Sequence, residues 1–148
     1  MKPNVLIVED DLAIMTVLAE VLSMEGYRVR TAMNGRDALV AASAKAPDIV
    51  LSDIGLPFVD GHGVALSMRR RGIPVVLMSA SNFSGSTYAN AFLRKPFDLD
   101  VLVATVDRIL AEPRKRGGHR CPRWSRFNGA FHNWRSFSHR GSRQATLL

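Results

Sequence analysis

Short apolar runs that do not alternate with polar residues are the feature that most constrains the fold of this chain. Val5–Val8 and Val75–Met78 are the clearest of them, and both are rich in β-branched residues. A strand that is apolar on both faces belongs in a parallel sheet that helices cover on each side. The predicted strands are residues 5–8, 27–32, 48–53, 74–78 and 91–94.

The segments between these strands have helical spacing. In the first of them Ile14, Leu18, Val21 and Leu22 recur on one face, and Gly26 follows as a helix-terminating glycine. Side chains that favour a helix start precede the later helices; they are Asn34, Asp60 and Asp98. Strands that alternate with helices predict an α/β fold with a doubly wound five-stranded parallel sheet and right-handed crossovers.

Charge divides the chain into two unequal parts. Residues 1–112 contain 11 Lys and Arg against 13 Asp and Glu, whereas residues 113–148 contain nine Lys and Arg and no acid, and the whole chain carries +7. Such an asymmetry marks a boundary. We therefore predict a folded domain over residues 1–112 and a basic tail over 113–148, which has no periodicity and is expected to be disordered.

Other features limit the class of protein. No apolar run approaches the ~18 residues of a membrane-spanning helix, and the chain begins with a strand-like run rather than a signal peptide. Cys121 is the single cysteine, which excludes an internal disulfide framework and a cysteine-cluster zinc site. The expectation is a soluble, cytoplasmic protein without a transmembrane segment.

Polar side chains follow four of the five predicted strands. They are Glu9 and Asp10 after the first strand, Asp53 at the end of the third, Ser79 after the fourth and Lys95 after the fifth. Ligands of open parallel sheets bind outside the carboxyl ends of the strands. Three carboxylates in one crevice raise one another's pKa unless a cation neutralises them, and oxygen ligands beside a phosphate suit Mg²⁺. We predict a magnesium and phosphate site at this edge.

The chemistry that uses all of these groups is phosphoryl transfer onto a carboxylate. Asp53 is the candidate nucleophile, because it ends a buried central strand and is followed by the turn Gly55–Pro57. A metal ion and Lys95 would balance the charge of the transferring group, and the Ser79 hydroxyl would donate a hydrogen bond to it.

Four strings of the sequence resemble the receiver domain of two-component response regulators, in particular single-domain receivers of the chemotaxis type. The strings are residues 5–11, 51–57 with 60–61, 76–80 and 92–97, and they follow the family's order. The resemblance implies a flavodoxin-like sheet with strand order 2-1-3-4-5. It also implies that a sensor histidine kinase or a histidine phosphotransfer protein phosphorylates Asp53, and that the chain catalyses only its own phosphorylation and dephosphorylation.

The resemblance assigns metal ligands. Asp10, Asp53 and the backbone carbonyl of Gly55 would bind Mg²⁺ directly, and Glu9 would act through a metal-bound water. These roles come from the family pattern and from the positions at which this sequence matches it.

Signalling in the family is a conformational switch. Binding of the phosphoryl group by Ser79 and Lys95 would let the Phe92 ring turn inward, which changes the surface that a downstream protein target reads. The Lys95–Pro96 peptide bond is expected to be cis. Only 15 residues lie between Ser79 and Lys95, and residues 81–90 are rich in Ser, Asn and Gly, so we expect a shortened fourth-helix region.

Two other functions stay open. The tail holds five aromatic residues among its basic ones, which suits a nucleic-acid-binding regulator with the tail as effector, or binding to an anionic membrane surface. An extension read out of frame or past a lost stop codon explains the same composition better. The other alternative is a docking receiver that works without phosphorylation, against which the complete set of carboxylates, Ser79 and Lys95 argues.

Overall fold

The computed structural model describes residues 1–81 and 88–113. Five strands and four helices make up this part of the chain. They are β1 (Asn4–Val8), α1 (Leu12–Met24), β2 (Arg28–Ala32), α2 (Gly35–Ala44), β3 (Ile49–Asp53), α3 (Gly61–Arg70), β4 (Val75–Ser79), β5 (Ala91–Arg94) and α4 (Leu99–Ala111). The prediction of a disordered tail falls on residues 113–148, and all but the first of these lie outside the described residues.

All five strands form one parallel sheet in the order β2-β1-β3-β4-β5. The predicted α/β fold class and strand order are confirmed. The strand limits shift by one residue in places. β2 begins at Arg28 rather than at Tyr27, because the Tyr27 N–H still bonds to the Leu22 carbonyl at the end of α1, at 3.0 Å.

Helices cover both faces of the sheet, and β1 shows how its sequence requires this. Val5 and Ile7 pack into the core under α1 and α4, whereas Leu6 and Val8 pack into the core under α2 and α3. All four side chains are fully buried. Since successive side chains of a strand point to opposite faces, a strand buried on both sides needs an unbroken apolar run.

Side chains cap two of the helices whose starts were predicted from polar residues. Asn34 and Asp60 each accept a hydrogen bond from the N–H three residues further on, at 2.8 Å. Asp98 stands at the same position before α4, so the helix starts where it was predicted to start, but its side chain makes no capping hydrogen bond. Burial of Leu99 and Leu102 against the sheet holds the start of α4 instead.

The buried face of α1 is centred differently from the predicted one. Leu18 and Leu22 are fully buried as expected, and Met15 completes the buried row. Ile14 and Val21 are half-buried against the same core. Residues 15, 18 and 22 lie at i, i+3 and i+7, so the helix is turned slightly from the face that the sequence suggested.

The connection between β4 and β5 is the region in which a shortened fourth helix was expected. Its described residues, 80–81 and 88–90, are not helical, and residues 82–87 lie outside the described part of the chain. Asn90 leads into β5 with two bonds to Val75: its N–H donates to the Val75 carbonyl at 2.7 Å, and its Oδ1 accepts the Val75 N–H at 3.0 Å. None of the described helices has the length and apolar character to span a bilayer.

Candidate functional site

The sheet order brings the polar strand ends together. β3 lies between β1 and β4, and Val8 pairs with Ser52, so the residues that follow them, Glu9 and Asp53, stand side by side. On the other flank Asp53 pairs with Met78 of β4. The carboxyl edge of the central strands is therefore where the predicted site residues converge.

Three carboxylates form a cluster at this edge. Glu9, Asp10 and Asp53 can each offer one oxygen, and these oxygens all lie within 4.8 Å of one another. Glu9 is 2% exposed, Asp53 is half-buried and Asp10 is exposed. The cluster therefore opens to solvent on the Asp10 side, and its oxygen-only donor set suits a hard divalent cation such as Mg²⁺.

Lys95 bridges two of these carboxylates. Its Nζ lies 2.7 Å from Glu9 Oε2 and 3.0 Å from Asp53 Oδ1, and all three side chains are largely buried. The backbone is held as well, because the Lys95 N–H donates to the Ser79 carbonyl at 2.8 Å. The Lys95–Pro96 peptide bond is cis, as predicted.

Backbone N–H groups fix the orientation of the same carboxylates. The Gly55 N–H donates to Asp53 Oδ2 at 2.9 Å, on the oxygen that does not face Lys95. The Asp11 N–H donates to Glu9 Oε1 at 3.3 Å. Each of these two carboxylates is thus held by one ammonium contact and one backbone donor, an arrangement that fixes a charged group firmly.

Burial and charge act together on the pKa values of the ion pair. Burial raises the pKa of the Glu9 carboxyl above its ordinary value, and this outweighs the opposing effect of Lys95. Burial lowers the pKa of Lys95, but its hydrogen bonds and charge interactions with Glu9 and Asp53 outweigh the burial, so the pKa of Lys95 is raised. Lys95 is therefore a permanent cation at neutral pH.

The turn after Asp53 depends on Gly61, the first residue of α3. A Cβ on Gly61 would lie 2.3 Å from the Asp53 carbonyl oxygen and 2.8 Å from Ile54 Cα. The Gly61 N–H also donates to the Ile54 carbonyl at 3.0 Å. Only glycine allows the helix start to approach the backbone of Asp53 this closely.

The two predicted switch residues occupy neighbouring strands. Ser79 ends β4 and is 6% exposed; its Oγ lies 2.9 Å from Ser81 Oγ. Phe92 lies in β5 opposite Leu77 and is half-buried against the core under α2 and α3. The structure thus places Ser79 at the edge that holds the carboxylates and Phe92 in the strand beside it.

Comparison with known proteins decides the family. The model of the response regulator receiver domain matches residues 5–107. The chain belongs to the response regulator receiver domain family. Transcriptional regulatory protein PrrA of Mycobacterium bovis is 35% identical over 124 residues, which cover 78% of this chain and 52% of PrrA. The chain spans about half or less of the length of the curated relatives that it matches.

Solved receiver domains have the same fold. The chemotaxis response regulator CheY4 of Vibrio cholerae superposes with a TM-score of 0.69 at 27% identity, covering 74% of this chain and 99% of CheY4. The receiver domain of a sensor histidine kinase from Pseudomonas aeruginosa gives the same TM-score and identity, covering 76% of this chain and 100% of that domain. That structure contains a magnesium ion coordinated in its active-site cleft.

Two contacts of this receiver domain were not predicted from its sequence. Gly61 was expected at the start of a helix, but the sequence contains no signal for its close approach to the Asp53 backbone. The bond between Ser79 and Ser81 joins the last residue of β4 to the loop that follows it, and a serine two positions after a candidate site residue was the available signal. Both contacts depend on how the loops fold over the strand ends.

Proposed function

We propose that this chain is a response regulator that receives a phosphoryl group on Asp53 and passes the signal on by a change of conformation. The observation that carries the proposal is the Lys95 ammonium, 3.0 Å from Asp53 and 2.7 Å from Glu9. A carboxylate alone repels an incoming phosphoryl group, whereas a fixed cation beside it offsets that repulsion as the group arrives.

Phosphorylation on this proposal forms one bond and breaks one. An oxygen of the Asp53 carboxylate bonds to phosphorus, and the phosphorus–nitrogen bond to the donor histidine breaks, with its electron pair leaving on the imidazole. Lys95 offsets the charge of the phosphoryl oxygens. The Gly55 N–H, at 2.9 Å from Asp53 Oδ2, keeps the carboxylate in one orientation, and the Ser79 hydroxyl donates to a phosphoryl oxygen.

The donor set of the acidic cluster fits Mg²⁺. Asp10, Asp53 and the Gly55 carbonyl would hold the ion directly, and Glu9 would act through a bound water; the three carboxylates already lie close enough to share one ion. When bound, Mg²⁺ neutralises charge on the phosphoryl oxygens.

The partners follow from the same proposal. A sensor histidine kinase or a histidine phosphotransfer protein supplies the phosphoryl group, and a downstream protein target reads the switch made by Ser79 and Phe92. The chain catalyses only its own phosphorylation and dephosphorylation, and it works in the cytoplasm. The nucleic-acid and anionic-surface alternatives depend on the tail, and no observation on the described residues favours them.

The test is phosphorylation of the full chain by acetyl phosphate, with and without Mg²⁺, measured by intact mass. We expect a single phosphoryl adduct that requires Mg²⁺ and that Asp53→Asn abolishes. Asp100→Asn is the matched control, because it makes the same isosteric change at an exposed residue in the first turn of α4. It should be phosphorylated as the wild type is.

Two results would contradict the proposal. An undiminished adduct on Asp53→Asn would show that another residue accepts the phosphoryl group. A folded wild-type chain that takes up no phosphoryl group and binds no Mg²⁺ would instead support the docking receiver that works without phosphorylation.

A further inference from the structure

The Ser79 hydroxyl already has a partner in this chain. Ser79 Oγ lies 2.9 Å from Ser81 Oγ and accepts the Ser81 N–H at 3.1 Å. A buried hydroxyl needs partners of this kind, since leaving it unpaired is costly. Among the described residues, the hydrogen bonds of Ser79 Oγ are both with Ser81.

The backbone of Ser79 is held in the sheet. Ser79 pairs with Arg94 in the β4–β5 register, and its carbonyl accepts the Lys95 N–H at 2.8 Å. Only rotation of the side chain is left, between a small number of staggered positions. Ser81 is exposed, so its own hydroxyl is not required for the core.

We propose that Ser81 is a positioning residue that keeps the Ser79 hydroxyl engaged until a phosphoryl group reaches Asp53. This inference rests on the function proposed above. The bond between the two hydroxyls can run in either direction. In this proposal Ser79 donates its one hydroxyl proton to Ser81 Oγ, so the side chain has to turn out of this bond to donate that proton to a phosphoryl oxygen. The Ser81 hydroxyl therefore competes with the phosphoryl group and lowers the affinity of the site for it.

The consequence can be measured as an equilibrium. Beryllofluoride, a mimic of a phosphoryl group, is titrated into the full chain at saturating Mg²⁺, and bound fluoride is followed by ¹⁹F NMR. Ser81→Ala removes the hydroxyl but keeps the N–H bond. It should bind beryllofluoride about three- to tenfold more tightly than the wild type, the effect of one neutral hydrogen bond on an equilibrium. Ser81→Thr keeps a hydroxyl at this position and should bind beryllofluoride with the affinity of the wild type.

The same comparison in a Ser79→Ala chain separates the positioning of Ser79 from a direct effect of Ser81 on the bound group. In Ser79→Ala there is no hydroxyl for Ser81 to hold, so adding Ser81→Ala should change the affinity by less than about twofold. Far-UV circular dichroism of each variant checks that the sheet is intact.

Three outcomes would overturn the inference. One is equal affinity of the wild type and Ser81→Ala. Another is an undiminished gain from Ser81→Ala in the Ser79→Ala background, which would mean that Ser81 acts on the bound group directly. The third is a wild-type chain that binds no beryllofluoride at any Mg²⁺ concentration. That result would contradict the proposed function as well, whereas the first two results would contradict only the role of Ser81.

Discussion

Phe58 is held in an unfavourable backbone conformation within the loop that follows Asp53. Its φ is +66°, in the left-handed region, and its side chain is 84% exposed. Phe58 is the central residue of a turn in which the Val59 N–H donates to the Pro57 carbonyl at 2.9 Å, and a similar turn from Ile54 to Leu56 precedes it. A bulky residue in this region costs ~1 kcal/mol, and an exposed ring offsets little of that cost.

Phe58→Gly should therefore stabilise the protein. Glycine has no Cβ to clash at positive φ, but it also makes the unfolded chain more flexible, which offsets part of the stabilisation. We therefore expect the free energy of unfolding to rise by about 0.5 kcal/mol. Urea denaturation measures it. Phe58→Ala is the control, since alanine keeps the Cβ and the strain. Equal stability of the Gly and Ala variants would show that φ at this position is not strained.

At the scale of the secondary-structure elements, the start of α3 positions Asp53. Gly61 lets the helix pack directly against the backbone of Asp53, and the Asp60 carboxylate caps the same helix at 2.8 Å. The geometry of Asp53 therefore depends on a helix start and not on β3 alone. A substitution at the helix start should therefore change the position of Asp53.

Gly61→Ala should impair both stability and phosphorylation. The new Cβ would meet backbone atoms, which cannot yield as a flexible side chain can, and we expect a loss of about 2 kcal/mol in the free energy of unfolding. The displaced Asp53 should accept a phosphoryl group from acetyl phosphate more slowly, as measured by intact mass.

Gly26→Ala is the matched control for this helix-terminus glycine. Gly26 has φ +93° and nothing within 4 Å of an added Cβ, so its replacement strains the backbone far from the site. It should cost ~1 kcal/mol and leave the phosphorylation rate unchanged. If both variants were phosphorylated at the wild-type rate, Gly61 would have no part in positioning Asp53.

The elements differ in how far the sequence predicted them. β1 was predictable because burial on both faces leaves an unbroken apolar run. The rotation of α1 was not, since packing against the sheet selected Met15 over its neighbour Ile14. The helix start after Asp98 was predictable, but the missing hydrogen bond of its side chain was not, because a side chain at this position bonds to the N–H groups only if its torsion angles bring it to them.

The candidate site was also predictable only in part. Asp53 and Lys95 were predicted to share an edge because parallel strands bring their carboxyl ends together. The bridging of two carboxylates by one ammonium could not be predicted, because it depends on distances between side chains at the ends of three strands. Strand ends can be located from a sequence, whereas contacts between the loops above them require the folded chain.

At the scale of the whole molecule, Tyr27 links the residues that follow α1 to the last described helix, α4. Its hydroxyl donates to Asp107 on α4, 80 residues away, while its own backbone lies at the end of α1. Burial and the Asp107 carboxylate raise the pKa of Tyr27 above its ordinary value. The folded form therefore favours the protonated phenol, and this stabilisation is present below the ordinary tyrosine pKa of about 10.

Tyr27→Phe should lower stability by about 1 kcal/mol at neutral pH, because it removes a partly exposed hydrogen bond to a charged group. Above about pH 10 the unfolded wild type loses the phenol proton more readily than the folded form does, so the wild type loses stability faster than the variant. Urea denaturation at neutral and alkaline pH measures the difference. A constant difference across this range would contradict the raised pKa.

In the proposed function Asp53 carries the phosphoryl group, and the most direct test identifies the modified residue chemically. Borohydride reduces an aspartyl phosphate to homoserine, which peptide mapping by mass spectrometry locates in the sequence. After treatment with acetyl phosphate and Mg²⁺, we expect homoserine at position 53 and at no other aspartate position. Homoserine at Asp10 or elsewhere, with Asp53 unchanged, would contradict it.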